Sequence, residues 1–394
     1  MTAALLFLAL AATQADPANL CTLCHPDIRV QFERSIHRVE DVTCVSCHGG
    51  NPEASTVAAA HSGDFKGPIA RARVPALCAS CHADSARMRP YDLSSDQYAL
   101  YQTSQHGIKL ARGDDKVAVC TDCHGVHEIL RTDDPASSVF YTNIPNTCGR
   151  CHSDAKLMAG YGKTTDPKED YLSGVHGEAL TRHGNSESPE CTRCHGAHGA
   201  TPPGVGDVGK VCGQCHASTR THFLEGPHRA ALRDAGLPEC ASCHGDHRIT
   251  RADVGMLDTV CVKCHAQDSP PAALAARMKT LYVSAAEEVE KAGALVDRAA
   301  AVPLYIEDYK ARLEEARTSL IESLPLMHSL DLQRVESLTV RARSIGSEVE
   351  SEVTGKLSGR GWRHVGLLIF WFYLIITIAV LVRWRAGSAK ESSS

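Results

Sequence analysis

The sequence predicts a mostly α-helical protein with little regular structure over its first two thirds, then a helical segment, then one long apolar helix. Three observations carry this expectation. All eighteen cysteines of the 394-residue chain fall in nine copies of Cys-x-x-Cys-His between Cys21 and His265. From Ala272 to about Ser358 there is no Cys, and apolar residues such as Leu281, Ala285, Val289, Ala292 and Val296 recur at helical spacing. Beyond that, Val365 to Val382 runs for eighteen residues without a charge.

The motifs are Cys21, Cys24 and His25; Cys44, Cys47 and His48; Cys78, Cys81 and His82; Cys120, Cys123 and His124; Cys148, Cys151 and His152. They continue with Cys191, Cys194 and His195; Cys212, Cys215 and His216; Cys240, Cys243 and His244; and Cys261, Cys264 and His265. Two thiols at this spacing add across the vinyl groups of one porphyrin, and the adjacent His lies under the ring as proximal iron ligand. Disulfide frameworks, zinc knuckles and thioredoxin-like centres also use paired cysteines, but none of them needs a His after the second Cys. The expected cofactor is nine covalently bound haem c. The stretch from Cys21 to His265 offers roughly 27 residues per motif, too few for an apolar core around each porphyrin. We therefore expect a haem-packed domain of short helices and long loops, tied down by thioether bonds.

Four units repeat along this stretch, each with an aromatic residue five positions before a lone His and then two motifs. They begin at Phe32 and His37, Tyr101 and His106, Tyr171 and His176, and Phe223 and His228, and the motif at Cys21 stands alone in front. In the last three units the first motif continues as Cys-His-Gly-x-His, which supplies His127, His198 and His247. The first unit reads Cys-His-Gly-Gly, and its spare histidine is His61. These eight are the expected distal ligands: His37, His61, His106, His127, His176, His198, His228 and His247. The sequence does not say which serves which haem. For the ninth iron His328 and His222 are equal candidates, with an open or water-ligated iron close behind. His183 has no counterpart in the other units, His364 abuts the apolar helix, and only Met88 and Met158 could supply axial sulfur within the repeats. Iron held by two histidines lacks the potential-raising Met ligand, so most sites should be low-potential.

The stretches YLSGVHGEAL…CTRCHGAH and YQTSQHGIKL…CTDCHGVH resemble the repeating modules of class III type, doubled-CXXCH multihaem c-type cytochromes, and the similarity covers most of Cys21 to His265. The resemblance implies covalent haem c, bis-histidine ligation, electron transfer along closely stacked porphyrins, and haem attachment outside the cytoplasmic membrane. The C-terminal apolar helix is similar to that of anchored multihaem subunits working with a separate b-type membrane cytochrome. It departs from quinol dehydrogenases whose haem domain follows an N-terminal anchor.

Residues 1–15 carry an apolar run and a small-residue end expected of a signal peptide, although without a basic n-region. The expected order is then a nonahaem cytochrome c domain over 16–271, a helical stalk over 272–360, a transmembrane helix over 361–385 and a cytoplasmic tail over 386–394. Pro303 and the stretch Pro325 to Ser329 divide the stalk into three antiparallel helices, the last opened by Ser329 or Asp331. A docking surface for a partner subunit is an equal reading of this region. Eighteen uncharged residues make about 27 Å of helix, enough to cross a hydrocarbon core. Trp362 and Trp384 stand at its ends, and Arg363, Arg383 and Arg385 flank it.

A formal net charge of −5 with no basic stripe argues against nucleic acid as a partner. The sequence thus predicts a membrane-anchored periplasmic electron carrier. Its expected partners are a b-type or other quinone-linked membrane subunit and periplasmic redox proteins. The rival class is an oxidoreductase acting on a small nitrogen or sulfur oxyanion at one open haem, but all nine motifs end in His and no acid–base cluster attends any of them.

Overall fold

The structure, a computed structural model, describes residues 19–163, 166–302 and 304–391, with side chains omitted at 359–364 and 384–391. The expected signal segment, Pro303 and the side chains of Trp362, Arg363, His364, Trp384 and Arg385 lie outside this description. The described residues contain helices and turns and no strand. They group into two compact units, Met1–Gly204 with His244–Arg251, and Val205–Cys243 with Ala252–Ser394.

In the first unit the motifs sit on helices of one or two turns, among them Cys44–His48, Cys120–His124 and Cys191–His195. Helical spacing puts two cysteines three residues apart on one face, so both thiols address the same side. Helices Val74–His82 and Ile144–His152 start with a Pro in the first turn, where no backbone donor is lost. The glycine that follows each repeat's first motif ends the helix abruptly. Gly49, Gly125, Gly196 and Gly245 have φ of +67°, +86°, +81° and +81°. At Gly125 ψ is 174°, a conformation open essentially to glycine alone, and an added Cβ would lie 2.7 Å from the Glu128 carbonyl oxygen. Gly125→Ala should therefore cost about 2 kcal/mol, which lowers Tm by about 4–8 °C in a melting experiment. Gly206→Ala, with open space around the new methyl, should leave Tm unchanged.

Conventional core is scarce here. Among the described residues between Cys21 and His265 the buried apolar side chains are Val74, Pro75, Met88, Val117, Val119, Pro145, Tyr171 and Leu180. Both clusters of buried apolar residues belong instead to the C-terminal helices.

Those helices are α1 (Pro270–Ala299), α2 (Glu307–Leu326) and α3 (Leu332–Glu391). Ion pairs give their directions. Arg277 pairs with Glu336 and Lys291 with Glu350, so α1 and α3 run parallel. Arg312 meets Glu348 and Glu352 while Arg341 meets Glu315, so α2 runs antiparallel to α3. Val289, Val296, Tyr309, Leu313, Val349 and Val353 fill the space between them. Asp331 opens α3 by accepting from the Arg334 amide at 3.2 Å, and its own amide donates to Ser329 Oγ. Val365–Arg383, on the same helix, has a mean hydropathy of 2.8 with none of it buried, and it is long and apolar enough to span a membrane.

Candidate haem-ligating histidine pairs

The histidines come in twos, one from a motif and one from outside it. Ring centroids are 6.4 Å apart for His25 and His61, 6.0 Å for His82 and His37, and 6.3 Å for His48 and His127. They are 6.2 Å apart for His152 and His106, 6.1 Å for His124 and His198, 5.8 Å for His195 and His247, and 6.1 Å for His265 and His228. A metal–imidazole bond is about 2.0 Å, so two rings on opposite sides of one iron hold their centroids roughly 6 Å apart. Direct stacking brings rings closer, as His61 on Phe65 at 4.3 Å shows. Among the described residues no three or more His, Cys, Asp or Glu side chains converge as a zinc site would require. The donor set, two imidazoles and two thiols per motif, fits haem c.

Cysteines of successive motifs lie side by side. The side chains of Cys21 and Cys44, Cys78 and Cys120, Cys148 and Cys191, and Cys212 and Cys240 lie close enough to shift one another's ionisation. Cys47 lies within electrostatic reach of Cys81, Cys123 of Cys148, and Cys243 of Cys261. Within each compact unit every pair of consecutive motifs is joined in this way. None of the eighteen cysteines is in a disulfide.

The comparisons with known proteins agree with this geometry. Residues 36–153 match the cytochrome c3 family. This chain is a multihaem c-type cytochrome. It is 26% identical over 139 residues to the multiheme cytochrome MtrA of Shewanella baltica (strain OS185), covering 35% of this chain and 32% of that protein. The chain thus spans about a third of the length of the curated relative it matches. No solved structure matches it. The cytochrome carries covalently bound haem c.

Its histidine pairs follow one rule. The second motif of a unit faces the lone His of the same unit: His82 with His37, His152 with His106, His265 with His228. The first motif faces the spare His of the next unit: His48 with His127, His124 with His198, His195 with His247. His61, the spare of the first unit, faces His25 of the solitary motif, so the shift by one unit begins there. The solitary leading motif was the only sequence hint of that shift.

The backbone sets each shared position. The amide just before the lone His donates to a carbonyl two residues past the next unit's spare His, in the pairs Ile36 to Ile129 (2.8 Å), Gln105 to Ala200 (3.1 Å) and Val175 to Ile249 (2.8 Å). The repeat's aromatic residue has a related task. Tyr101 Oη donates to the Ala118 carbonyl and Tyr171 Oη to that of Pro189, each two residues before the first Cys of its unit.

Burial, and then the facing histidine, push His37, His106, His127, His195 and His228 below the ordinary imidazole range, and His124 down to about 4. Burial alone does this to His82, and it is the largest cause for His198 and His152. A neutral ring keeps the lone pair that an iron needs. His48 Nδ1 lies 3.1 Å from the Gly67 carbonyl, which fixes that ring's proton away from its facing nitrogen.

The remaining sequence candidates are placed as follows. His176 offers its carbonyl to Ser188 Oγ at 2.7 Å. His222 Nδ1 lies 3.2 Å from Glu225 Oε2, and His328 Nδ1 lies 3.1 Å from the Pro325 carbonyl. The side chain of His183 is exposed, and Met88 is buried.

Proposed function

We propose that this is a membrane-anchored nonahaem cytochrome that relays electrons between a quinone-linked, b-type membrane partner and periplasmic redox proteins. The observation that supports the reading is the adjacency of successive motifs within each compact unit, with a facing histidine pair at seven of the motifs. Haem c held in this way supplies reversible one-electron storage at each site. The chain's own contribution is geometric and electrostatic. Eighteen cysteines fix the spacing, and the motif histidines with His37, His61, His106, His127, His176, His198, His228 and His247 hold the irons. The use of imidazole rather than thioether on both sides keeps the potentials low. The span Val365–Arg383 anchors the protein, with the haem-bearing part in the periplasm and the tail in the cytoplasm. The first fifteen residues direct export.

The test is stoichiometric. The denatured protein should carry nine haems by mass, and peptide mapping should place one on each cysteine pair. A motif found without haem would defeat the nonahaem count.

A further inference from the structure

The pairing rule leaves the first motif of the fourth unit in need of a spare histidine from a fifth unit, and the sequence contains no fifth unit. We propose that His328, carried by the turn Met327–Ser329 between α2 and α3, is the distal ligand of the haem on Cys240 and Cys243. This rests on the nonahaem reading and deepens it.

Three observations support it. In the third unit, Gly174 stands two residues before the lone His176, against the next unit's spare histidine. A Cβ there would lie 3.1 Å from the carbonyl oxygen of His247 and 3.1 Å from that of Ile249. In the fourth unit, Gly226 stands two residues before the lone His228, and a Cβ there would lie 2.9 Å from the carbonyl oxygen of His328 and 3.1 Å from that of Ser329. His328 thus occupies the backbone position that His247 occupies one unit earlier. The amide that donates to this segment in units one to three is absent in unit four because Pro227 stands there, so other contacts must hold the turn. Glu225 provides one by pairing with Arg334 of α3 at 2.7 Å.

The second observation is the ring itself. The Pro325 carbonyl, 3.1 Å from His328 Nδ1, holds the proton on that nitrogen and leaves Nε2 as the donor, as Gly67 does for His48. The third concerns the competitor. His222 shares Glu225 with Arg334, on a helix that belongs to the fourth unit itself, Ala217–Glu225. That is not where the rule places a first-motif ligand. The C-terminal bundle therefore does more than space the haems from the membrane, because its turn completes the last unit.

The experiment uses the full-length, haem-loaded cytochrome and reads spin state by electron paramagnetic resonance and magnetic circular dichroism. His328→Ala should convert one iron in nine to a high-spin, carbon monoxide-binding form with all haems retained, and added imidazole should restore the low-spin signal. Should that variant fold poorly, His328→Met should keep nine six-coordinate irons and move one of them to a higher potential. His222→Ala should leave every iron low-spin. A high-spin haem in His222→Ala would overturn the assignment, as would nine low-spin irons in His328→Ala. Wild-type haem mapping separates the two readings: nine haems with an unaltered His328→Ala spectrum overturn the ligand assignment alone, whereas bare cysteines at 240 and 243 overturn both.

Discussion

Deleting Trp362 to Ser394 is expected to move the cytochrome from the membrane fraction to the soluble fraction with its haem content unchanged. The deleted stretch holds thirteen Leu, Ile, Val and Phe residues between Val365 and Val382. At about 0.3–0.6 kcal/mol each, they favour insertion by roughly 4–8 kcal/mol, on the order of a thousandfold to a millionfold in partition. The bundle core should survive, because the apolar residues that close it, Val349, Val353 and Leu357, all precede the cut. The haem motifs precede it as well. Fractionation of cells expressing the two forms, followed by haem staining, checks both halves of the expectation. Truncated protein that stays in membranes after a high-salt wash would mean that the N-terminal segment, or an apolar contact with a partner, holds it there.

Much of the molecule was legible in the sequence because covalent chemistry imposes fixed spacing. Thioether attachment requires Cys-x-x-Cys-His, and a one-turn helix is the local structure that turns both thiols one way. The three C-terminal helices were legible from period and from the polar turn around Ser329, since Asp331 caps α3 as a helix start should be capped. Their antiparallel order was legible as well, but the ion pairs that fix it, such as Lys291 with Glu350, were not, because they join residues far apart in sequence. The ligand pairing was hidden for the same reason. Gly125 was readable as part of a motif, yet only its φ of +86° shows why it must be glycine: the chain reverses there and sends His127 away from its own motif toward that of the preceding unit. His328 and His222 looked alike in sequence. They separate only when Gly226 is seen against the His328 carbonyl.

The geometry of α3 bears on how the membrane is served. From Leu332 to Val365 the helix climbs about 50 Å at 1.5 Å per residue, so the turn bearing His328 is set back from the apolar span by that length of helix.

The largest redox effect is expected from His198. Although it lies three residues after His195 in the third unit, it faces His124 of the second at 6.1 Å with the rings nearly parallel, 10° between planes. His198→Ala should therefore create a high-spin haem on Cys120 and Cys123 and leave the haem on Cys191 and Cys194 low-spin. His198→Met should keep that iron six-coordinate and raise its potential by a few tenths of a volt, within the roughly 0.8 V span that axial ligands command. The haem concerned can be identified by combining variants. Removing Cys120 and Cys123 together should abolish the high-spin signal of His198→Ala, because the affected iron is then gone, while removing Cys191 and Cys194 should leave it in place. If the signal instead disappears with Cys191 and Cys194, each unit ligates its own haems and the shift by one unit is wrong.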